Sequence, residues 1–297
     1  MKDDFRTLQA AGFLAVLLLT GGFAAAQDWL PAAGFESPAD LERLAGRAES
    51  FASSRQAGDM PFLPETLHYR MRAFGMTGGV TQTLETVSIA GRPLYRIRQA
   101  GAVAGRRQAE ECLLETGTLV PARYRRDRGL SGHESRVDQK DWDWLGLRLF
   151  AEGALQLDGR PSRTLYRRVE RLEADRPDAI LDPLAAVLLY RHAARTAAGP
   201  LPEREWTVLE GNDGVYQAVF QPKSAPVAGN HPVLGDCRLA TVEIAIQRKP
   251  PAATENAGRV RLDLALDKQA IPVKYDGVWR GIPFELILTH ATVQAAP

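Results

Sequence analysis

The sequence predicts a mainly β fold: a strongly curved antiparallel sheet or half-barrel with few helices. Two segments, Thr66–Phe74 and Arg259–Asp267, alternate apolar and polar residues with the period of two that is typical of half-buried strands. Many further strand candidates follow one another through short turns, and only two segments have helix signals. This succession argues against a doubly wound α/β fold, in which strands and helices alternate.

The first element in chain order is a predicted signal peptide at 1–26. Met1–Arg6 is polar, Ala10–Phe23 is apolar but too short for a stable membrane-spanning helix, and Ala24–Ala26 fits a cleavage site. We therefore expect export, cleavage after Ala26 and a soluble periplasmic protein. No cysteine follows the apolar stretch, so a lipid anchor is not expected. A retained N-terminal helix is the alternative interpretation.

Two helices are expected after the signal peptide. Ser37-Pro38 is an N-cap followed by proline, and the spacing of apolar residues predicts an amphipathic helix over 37–54, within an N-terminal extension at 27–60. Asp182-Pro183 is a second N-cap, and the residues after it are apolar on every side. The helix Asp182–Thr196 is therefore expected to be buried across the concave face of a single β domain at 61–297.

The rest of that domain consists of predicted strands and turns. Gly211–Gly214 is a hairpin turn, and Asn230–Gly235 and Pro250–Gly258 are turn-rich loops. The other strand candidates are Gln82–Ile89, Leu94–Gln99, Cys112–Glu115, Leu119–Arg126, Glu134–Asp138, Leu165–Val169, Trp206–Leu209, Val215–Gln221, Arg238–Arg248, Ile271–Tyr275 and Pro283–His290.

Composition excludes several classes of function. The 297 residues include 37 basic and 36 acidic side chains, and a net charge of +1 does not favour nucleic acid as a partner. Two cysteines cannot build a disulfide framework or a four-thiolate zinc site.

Cys112 and Cys237 both begin predicted strands, and in an oxidising compartment they are predicted to form one disulfide. Two buried free thiols are the alternative.

No convincing catalytic motif is present, so the sequence does not indicate an enzyme. The five histidines have no pair at the three- or four-residue spacing that places two ligands on one helix face, so a metal site needs residues from distant positions. No metal and no cofactor are expected. Ser131 and His133 lie among carboxylates, but the glycine spacing does not fit a nucleophile elbow.

Five residues are candidates for a ligand-binding groove. Trp142 and Trp144 project to the same side of an extended segment, and indoles flanked by carboxylates are suited to the mouth of a groove. Leu184, Leu188 and Tyr190 lie on the predicted buried helix. The alternative is that the tryptophans cover the edge of the core.

A short basic run lies in one predicted strand. It consists of Arg123, Arg125, Arg126 and Arg128. Such a run is typical of a solvated strand face. An anionic head group or polymer as its partner is the alternative interpretation.

Several short motifs resemble those of a known family. They are Glu65–Arg70, Glu111–Tyr124, Leu181–Leu184 with Tyr190-Arg191, and Asp267–Tyr275. Together they are similar to the exported proteobacterial family known as domain of unknown function 3108, over roughly 64–291. The resemblance implies a strongly curved sheet like the half-barrels of periplasmic lipoprotein carriers, with a helix on the concave side. No activity is implied.

Three functional hypotheses follow. The first is a soluble periplasmic envelope protein that binds or chaperones an apolar ligand, lipid or lipoprotein-like, in the half-barrel. The second is a structural or interaction protein of the cell envelope with a sealed core and a protein partner. The third and least supported is a hydrolase that uses His133 with Ser131 or a carboxylate.

Overall fold

The fold is that of a computed structural model, which describes most of the chain after residue 61. The described residues are 62–73, 75–89, 92–103, 106–131, 134–143, 148–171, 180–210, 214–249, 256–279 and 281–294. The predicted signal peptide, N-terminal extension and amphipathic helix over 37–54 lie outside them.

The described residues form sixteen strands and one helix. The first eight strands are β1 Glu65–Ala73, β2 Met76–Ile89, β3 Arg92–Val103, β4 Arg106–Glu115, β5 Pro121–Ser131, β6 Glu134–Asp143, β7 Arg148–Leu157 and β8 Arg160–Arg171. After the short β9 Ile180–Leu181 comes the helix α1 Pro183–Thr196. The remaining strands are β10 Arg204–Glu210, β11 Gly214–Pro222, β12 Val227–His231, β13 Gly235–Lys249, β14 Asn256–Ala265, β15 Ile271–Trp279 and β16 Ile282–Val293.

All sixteen strands belong to one sheet. Its order is β8-β7-β6-β5-β4-β3-β2-β1-β16-β15-β14-β13-β11-β10-β9, and β12 pairs with β13 off this path. The pairs are antiparallel except for the short parallel pair of β9 with β10. Within the described residues β8 and β9 end the order and the sheet does not close into a barrel. The predicted fold class, a mainly β antiparallel sheet with few helices, is confirmed.

The two alternating segments that predict strands form β1 and β14. Leu67 and Met71 of β1 are completely buried, whereas Arg70 and Arg72 between and beside them are exposed. In β14, Leu262 is buried and the adjacent Arg261 is exposed. One face of each strand therefore enters a single large core, which also contains the apolar side chains of α1.

The helix α1 begins where its N-cap predicts. The Asp182 carboxylate accepts hydrogen bonds from the backbone N–H groups of Leu184 (2.9 Å) and Ala185 (3.0 Å), which have no acceptor within the helix. The first two turns are buried nearly all round, as the absence of a polar stripe predicts. The helix ends at Thr196, before Gly199-Pro200.

Contacts at the N-terminus and in the middle of this helix require the sheet to curl around it. The N-cap Asp182 contacts Cys112 on β4, and Tyr190 stacks on Phe220 of β11 at 4.8 Å. In a flat sheet, strands as far apart in the order as β4 and β11 are separated by roughly 38 Å. The helix segment between Asp182 and Tyr190 is only about 12 Å long. The sheet therefore wraps α1 on its concave face, which we call the interior face.

Three regions differ from the sequence-based expectation. Arg148–Leu157 forms β7 and Val227–His231 forms β12, although neither was predicted as a strand. Asn256–Gly258, expected in a loop, belongs to β14. Both unpredicted strands have glycine or alanine at positions where a strand pattern needs bulky apolar residues, so their own residues do not favour a strand. Hydrogen bonds to the neighbouring strands β6 and β13 stabilise the extended backbone instead.

Leu188→Ala is expected to lower the free energy of unfolding by about 2–5 kcal/mol, because Leu188 is 2% exposed and its truncation leaves a cavity between α1 and the sheet. Leu189→Ala is the matched control on the same helix, since Leu189 is only partly buried, and its loss should be clearly smaller. Urea unfolding of both variants measures the difference. Equal losses would contradict this orientation of the helix.

Candidate functional site

Four of the five predicted groove residues lie in the hydrophobic core. Trp142 is 1% exposed, Leu184 4%, Leu188 2% and Tyr190 0%, and all four belong to one hydrophobic cluster. Trp144 lies outside the described residues. The core interpretation therefore holds for Trp142, and α1 does not leave an open apolar groove at these side chains.

A buried ion pair attaches the second half of α1 to the sheet. The Arg191 guanidinium donates two hydrogen bonds to the Glu65 carboxylate on β1, at 2.6 and 2.9 Å, and a third to the Gln269 carbonyl at 3.2 Å. The side chains of Arg191 and Glu65 are 1% and 0% exposed. Although Arg191 follows the apolar segment and looks like a solvated cation in the sequence, it joins the helix to β1 and the β14–β15 turn.

A second polar contact lies at the N-terminal end of α1. The Cys112 thiol donates to the Asp182 carboxylate at 3.0 Å, and the Lys140 ammonium lies over the Tyr124 ring at 4.5 Å. Burial raises the pKa of Cys112 well above its usual value, and the negative charge of Asp182 adds to this. Burial also raises the pKa of Asp182, against the opposing effect of its hydrogen bonds. The thiol is therefore protonated and unsuited to nucleophilic chemistry.

The predicted disulfide is not present in the structure. Cys112 and Cys237 are both buried free thiols. They lie on β4 and β13, seven steps apart in the strand order, and Cys112 uses its sulfur to hydrogen-bond Asp182. A disulfide needs Cα atoms within about 7 Å and side chains directed at each other. The alternative of two small buried hydrophobes describes the structure.

Thiol titration tests this arrangement. Unfolding in guanidinium without reductant should expose two thiols per chain, whereas in the native protein Cys112 should not react because it is buried and its pKa is raised. In the control variant Cys237→Ser, the remaining thiol is that of Cys112, and it should react only after unfolding. No titratable thiol in the unfolded wild type would mean that the two sulfurs are bridged.

A row of buried polar side chains crosses the interior face of β2–β6. Each member is the register partner of the next, and directly opposed residues point to the same face. All are 8% exposed or less. We call this set the polar row; it consists of Gln82, Gln99, Glu110, Arg126 and Asp138.

The polar row runs beside a second row of register partners, which is apolar in its middle and charged at both ends. Leu84, Ile97, Cys112 and Tyr124 belong to the main core cluster, whereas the buried Glu65 on β1 and Lys140 on β6 end the row. On β2–β5 the interior face thus changes from apolar to polar over one residue pair along the strands. Buried polar groups need partners, so this change identifies the polar row as the feature of the interior face that a packing role does not explain.

Three arginines converge on one carboxylate at the β5–β6 end of the polar row. Arg126 and Arg128 donate to Asp138 Oδ2 at 3.2 and 3.1 Å, and Arg136 donates to Oδ1 at 3.2 and 3.0 Å. We call these four residues the arginine cluster. Burial by itself raises the pKa of Asp138, but the three guanidinium groups outweigh it and hold that pKa below its usual value.

One end of the arginine cluster lies close to solvent. The three guanidinium groups share the Asp138 carboxylate, and Glu110 is the register partner of Arg126. The side chains of Arg128 and Arg136 are 16% and 10% exposed, while that of Asp138 is 0% exposed. An anion arriving from the Arg128–Arg136 end therefore meets planar donors in a partly desolvated setting, which favours carboxylates and phosphates.

The basic run of the sequence is divided between the two faces of β5. Arg126 and Arg128 belong to the interior arginine cluster, whereas Arg123 pairs with Asp141 on the opposite face and is 1% exposed. The interpretation as a solvated strand face is therefore wrong, because these arginines are ion-paired and largely buried. Alternation of side chains along a strand explains the division.

A groove of about 470 Å³ lies on the outer face instead. The β12 side contributes Val227 and His231, and the sheet contributes charged side chains such as Arg261, Lys274 and Glu285. Lys274 bonds both Asp276 and Glu285 at 3.2 Å, so the floor of this groove is already ion-paired. It contains none of the five residues that the sequence analysis named as candidates for a ligand-binding groove.

The described residues contain no arrangement typical of a metal site or a membrane-spanning helix. No group of three or more His, Cys, Asp and Glu side chains among them is arranged to hold a metal ion. None of their helices has the length and apolar character needed to cross a membrane. Ser131 is the last residue of β5, and His133 lies outside the described part of the chain.

Sequence reasoning missed the polar row and the ion pair of Arg191 with Glu65. The members of the polar row are separated by hairpins, so only strand register brings them together. The sequence around Arg126 carries no alternation that separates the two faces, because its neighbours Arg125 and Asp127 are also charged.

Comparison with known proteins supports the fold and goes no further. No family model and no curated protein matches the sequence. A solved structure with a similar fold is the crystal structure of a β-barrel-like protein of domain of unknown function DUF1849 from Brucella abortus. The match has a TM-score of 0.54 and 10% sequence identity, and it covers 79% of this chain and 99% of that chain. The chain is therefore a β-barrel-like domain, and membership of the family 3108 specifically is not supported.

Proposed function

We propose that this protein is an exported, periplasmic envelope protein whose half-barrel binds an amphiphile with an apolar body and an anionic head group. One observation carries the ligand part: along the interior face of β5 and β6, the core side chains Tyr124 and Trp142 give way through the buried Lys140 to the partly exposed arginine cluster. Binding sites for such ligands combine apolar walls with a few convergent polar groups.

The location of the ligand follows from what α1 already covers. The helix seals the interior beside β1, β4 and β11, and its groove candidates are buried. At the Arg128–Arg136 end of the arginine cluster, charged side chains of the interior face are partly exposed to solvent. We therefore place the anionic head group at Arg128 and Arg136.

Export is supported by the pattern at 1–26, with Ala24–Ala26 before Gln27. Protein purified from the envelope fraction should begin at Gln27 on N-terminal sequencing. A mature protein that begins at Met1 and remains in the cytoplasm would contradict the proposal.

A fluorescent fatty acid tests the ligand part, with its uncharged methyl ester as the matched probe. Wild type should bind both, and Arg128→Gln should weaken binding of the acid about tenfold, equivalent to about 1.4 kcal/mol, while leaving the ester unchanged. Arg261→Gln, on the outer face, is the control variant and should have no effect. Mass spectrometry of lipid extracted from the periplasmic protein identifies the native ligand.

The second candidate is a structural or interaction protein of the envelope with a sealed core. The complete burial of Trp142, Leu184 and Tyr190 favours it. It predicts no bound lipid, and no probe binding by wild type or by a folded Leu188→Ala variant. That result would replace the carrier function with this one.

A further inference from the structure

Two histidines that are far apart in sequence lie side by side on the outer face of the sheet. The register of β1 and β16 pairs His68 with His290, and their ring centroids are 5.7 Å apart at an interplanar angle of 43°. Leu67, next to His68, is buried in the core, and Ala291, next to His290, packs against the core. His290 is exposed and His68 partly so, so both rings are open to solvent.

The separation of the rings fits a shared metal ion. A zinc ion lies about 2.0–2.1 Å from an imidazole nitrogen, and hence roughly 3.2 Å from the centroid of the ring. Two rings bound to one ion at a tetrahedral or slightly wider angle therefore have centroids roughly 5–6 Å apart. The measured 5.7 Å lies within this range for Zn²⁺, and the tetragonal geometry that Cu²⁺ prefers requires the two exposed rings to rotate toward each other.

Threonine hydroxyls orient both rings. His68 Nδ1 is 3.1 Å from Thr81 Oγ1, and His290 Nε2 is 3.4 Å from Thr292 Oγ1. When each threonine oxygen accepts the ring proton, the other nitrogen of each ring keeps its lone pair for a metal. This is the usual arrangement of a ligating histidine with an outer hydrogen-bond partner.

We propose that His68 and His290 form a surface binding site for a late first-row divalent metal ion, Cu²⁺ being the tightest, with water in the remaining positions. Imidazole nitrogens suit Cu²⁺, Ni²⁺ and Zn²⁺, and affinity generally rises toward Cu²⁺. Mg²⁺ and Ca²⁺ need several oxygen ligands. The bound ion joins β1 to β16, the pair through which the two halves of the sheet meet.

Calorimetric titration of the untagged protein with CuCl₂ and ZnCl₂, and with MgCl₂ as the negative control, tests the site. Wild type should bind one Cu²⁺, and His290→Ala and His68→Ala should each lower the affinity roughly tenfold or more. His231→Ala, which changes a histidine at the outer groove, should leave the affinity unchanged.

Electron paramagnetic resonance of the Cu²⁺-loaded protein is a second measurement. It tests the ligands in the wild type directly, so it is informative even if a variant does not fold. The spectrum should show two coordinated imidazole nitrogens in wild type and one in His290→Ala. Wild-type affinity retained in the double variant His68→Ala/His290→Ala, or a wild-type spectrum without imidazole nitrogens, would overturn the proposal.

Discussion

Glu65→Gln should lower the free energy of unfolding by about 3–5 kcal/mol, because it leaves the Arg191 guanidinium buried without its carboxylate. The bidentate contact, at 2.6 and 2.9 Å, joins α1 to β1, so its loss weakens the attachment of the helix to the sheet. Urea unfolding followed by circular dichroism measures the change. Arg191→Met should cause a loss of similar size, since Glu65 is then the unpaired charge.

The double variant Glu65→Gln/Arg191→Met should lose less than the sum of the single variants, because no buried charge remains unpaired. Glu85→Gln is the exposed control: Glu85 pairs with Arg96 at 2.7 Å, with side chains 39% and 28% exposed, and its loss should stay within about 1 kcal/mol. The prediction would be contradicted if the losses of unfolding free energy in the two single variants were additive in the double variant. It would also be contradicted if Glu65→Gln lost as little unfolding free energy as Glu85→Gln.

Asp138→Asn should also lower the free energy of unfolding by about 3–5 kcal/mol at neutral pH, because three guanidinium groups then lack their shared carboxylate. The pKa of Asp138 is lower in the folded than in the unfolded chain, where it is about 3.9. The stabilisation is therefore present above about pH 4 and is lost as the pH falls toward the folded pKa.

The difference between wild type and Asp138→Asn should accordingly shrink when urea unfolding is repeated below about pH 4. Asp267→Asn is the matched control, since Asp267 pairs with Arg238 at 2.8 Å but is 40% exposed, and its effect should stay within about 1 kcal/mol. A difference for Asp138→Asn that is unchanged from neutral pH to pH 3 would show that its charge is not the source of the effect.

Local patterns of the sequence predicted the fold class and the main elements. The alternation at β1 and β14, and the Asp182 cap with the all-round apolar segment of α1, depend on neighbouring residues within one element. These patterns operate over a few residues, so they can be identified without knowledge of the rest of the chain. β7 and β12 were missed because pairing with adjacent strands, and not their own residues, determines them.

The candidate sites depend on strand register. Arg126 and Asp138 meet through the β5–β6 pair, His68 and His290 through the β1–β16 pair, and each residue alone looks like an ordinary surface side chain in the sequence.

By itself, the sequence determined α1 and the strands with a clear alternation, such as β1 and β14, together with the apolar face of each. Only the tertiary structure decided that Trp142 is sealed in the core, that both cysteines are free thiols and that Arg191 is buried with Glu65. The physical reason is that periodicity is a local property of the chain, whereas burial and charge pairing depend on how sixteen strands curl around one helix.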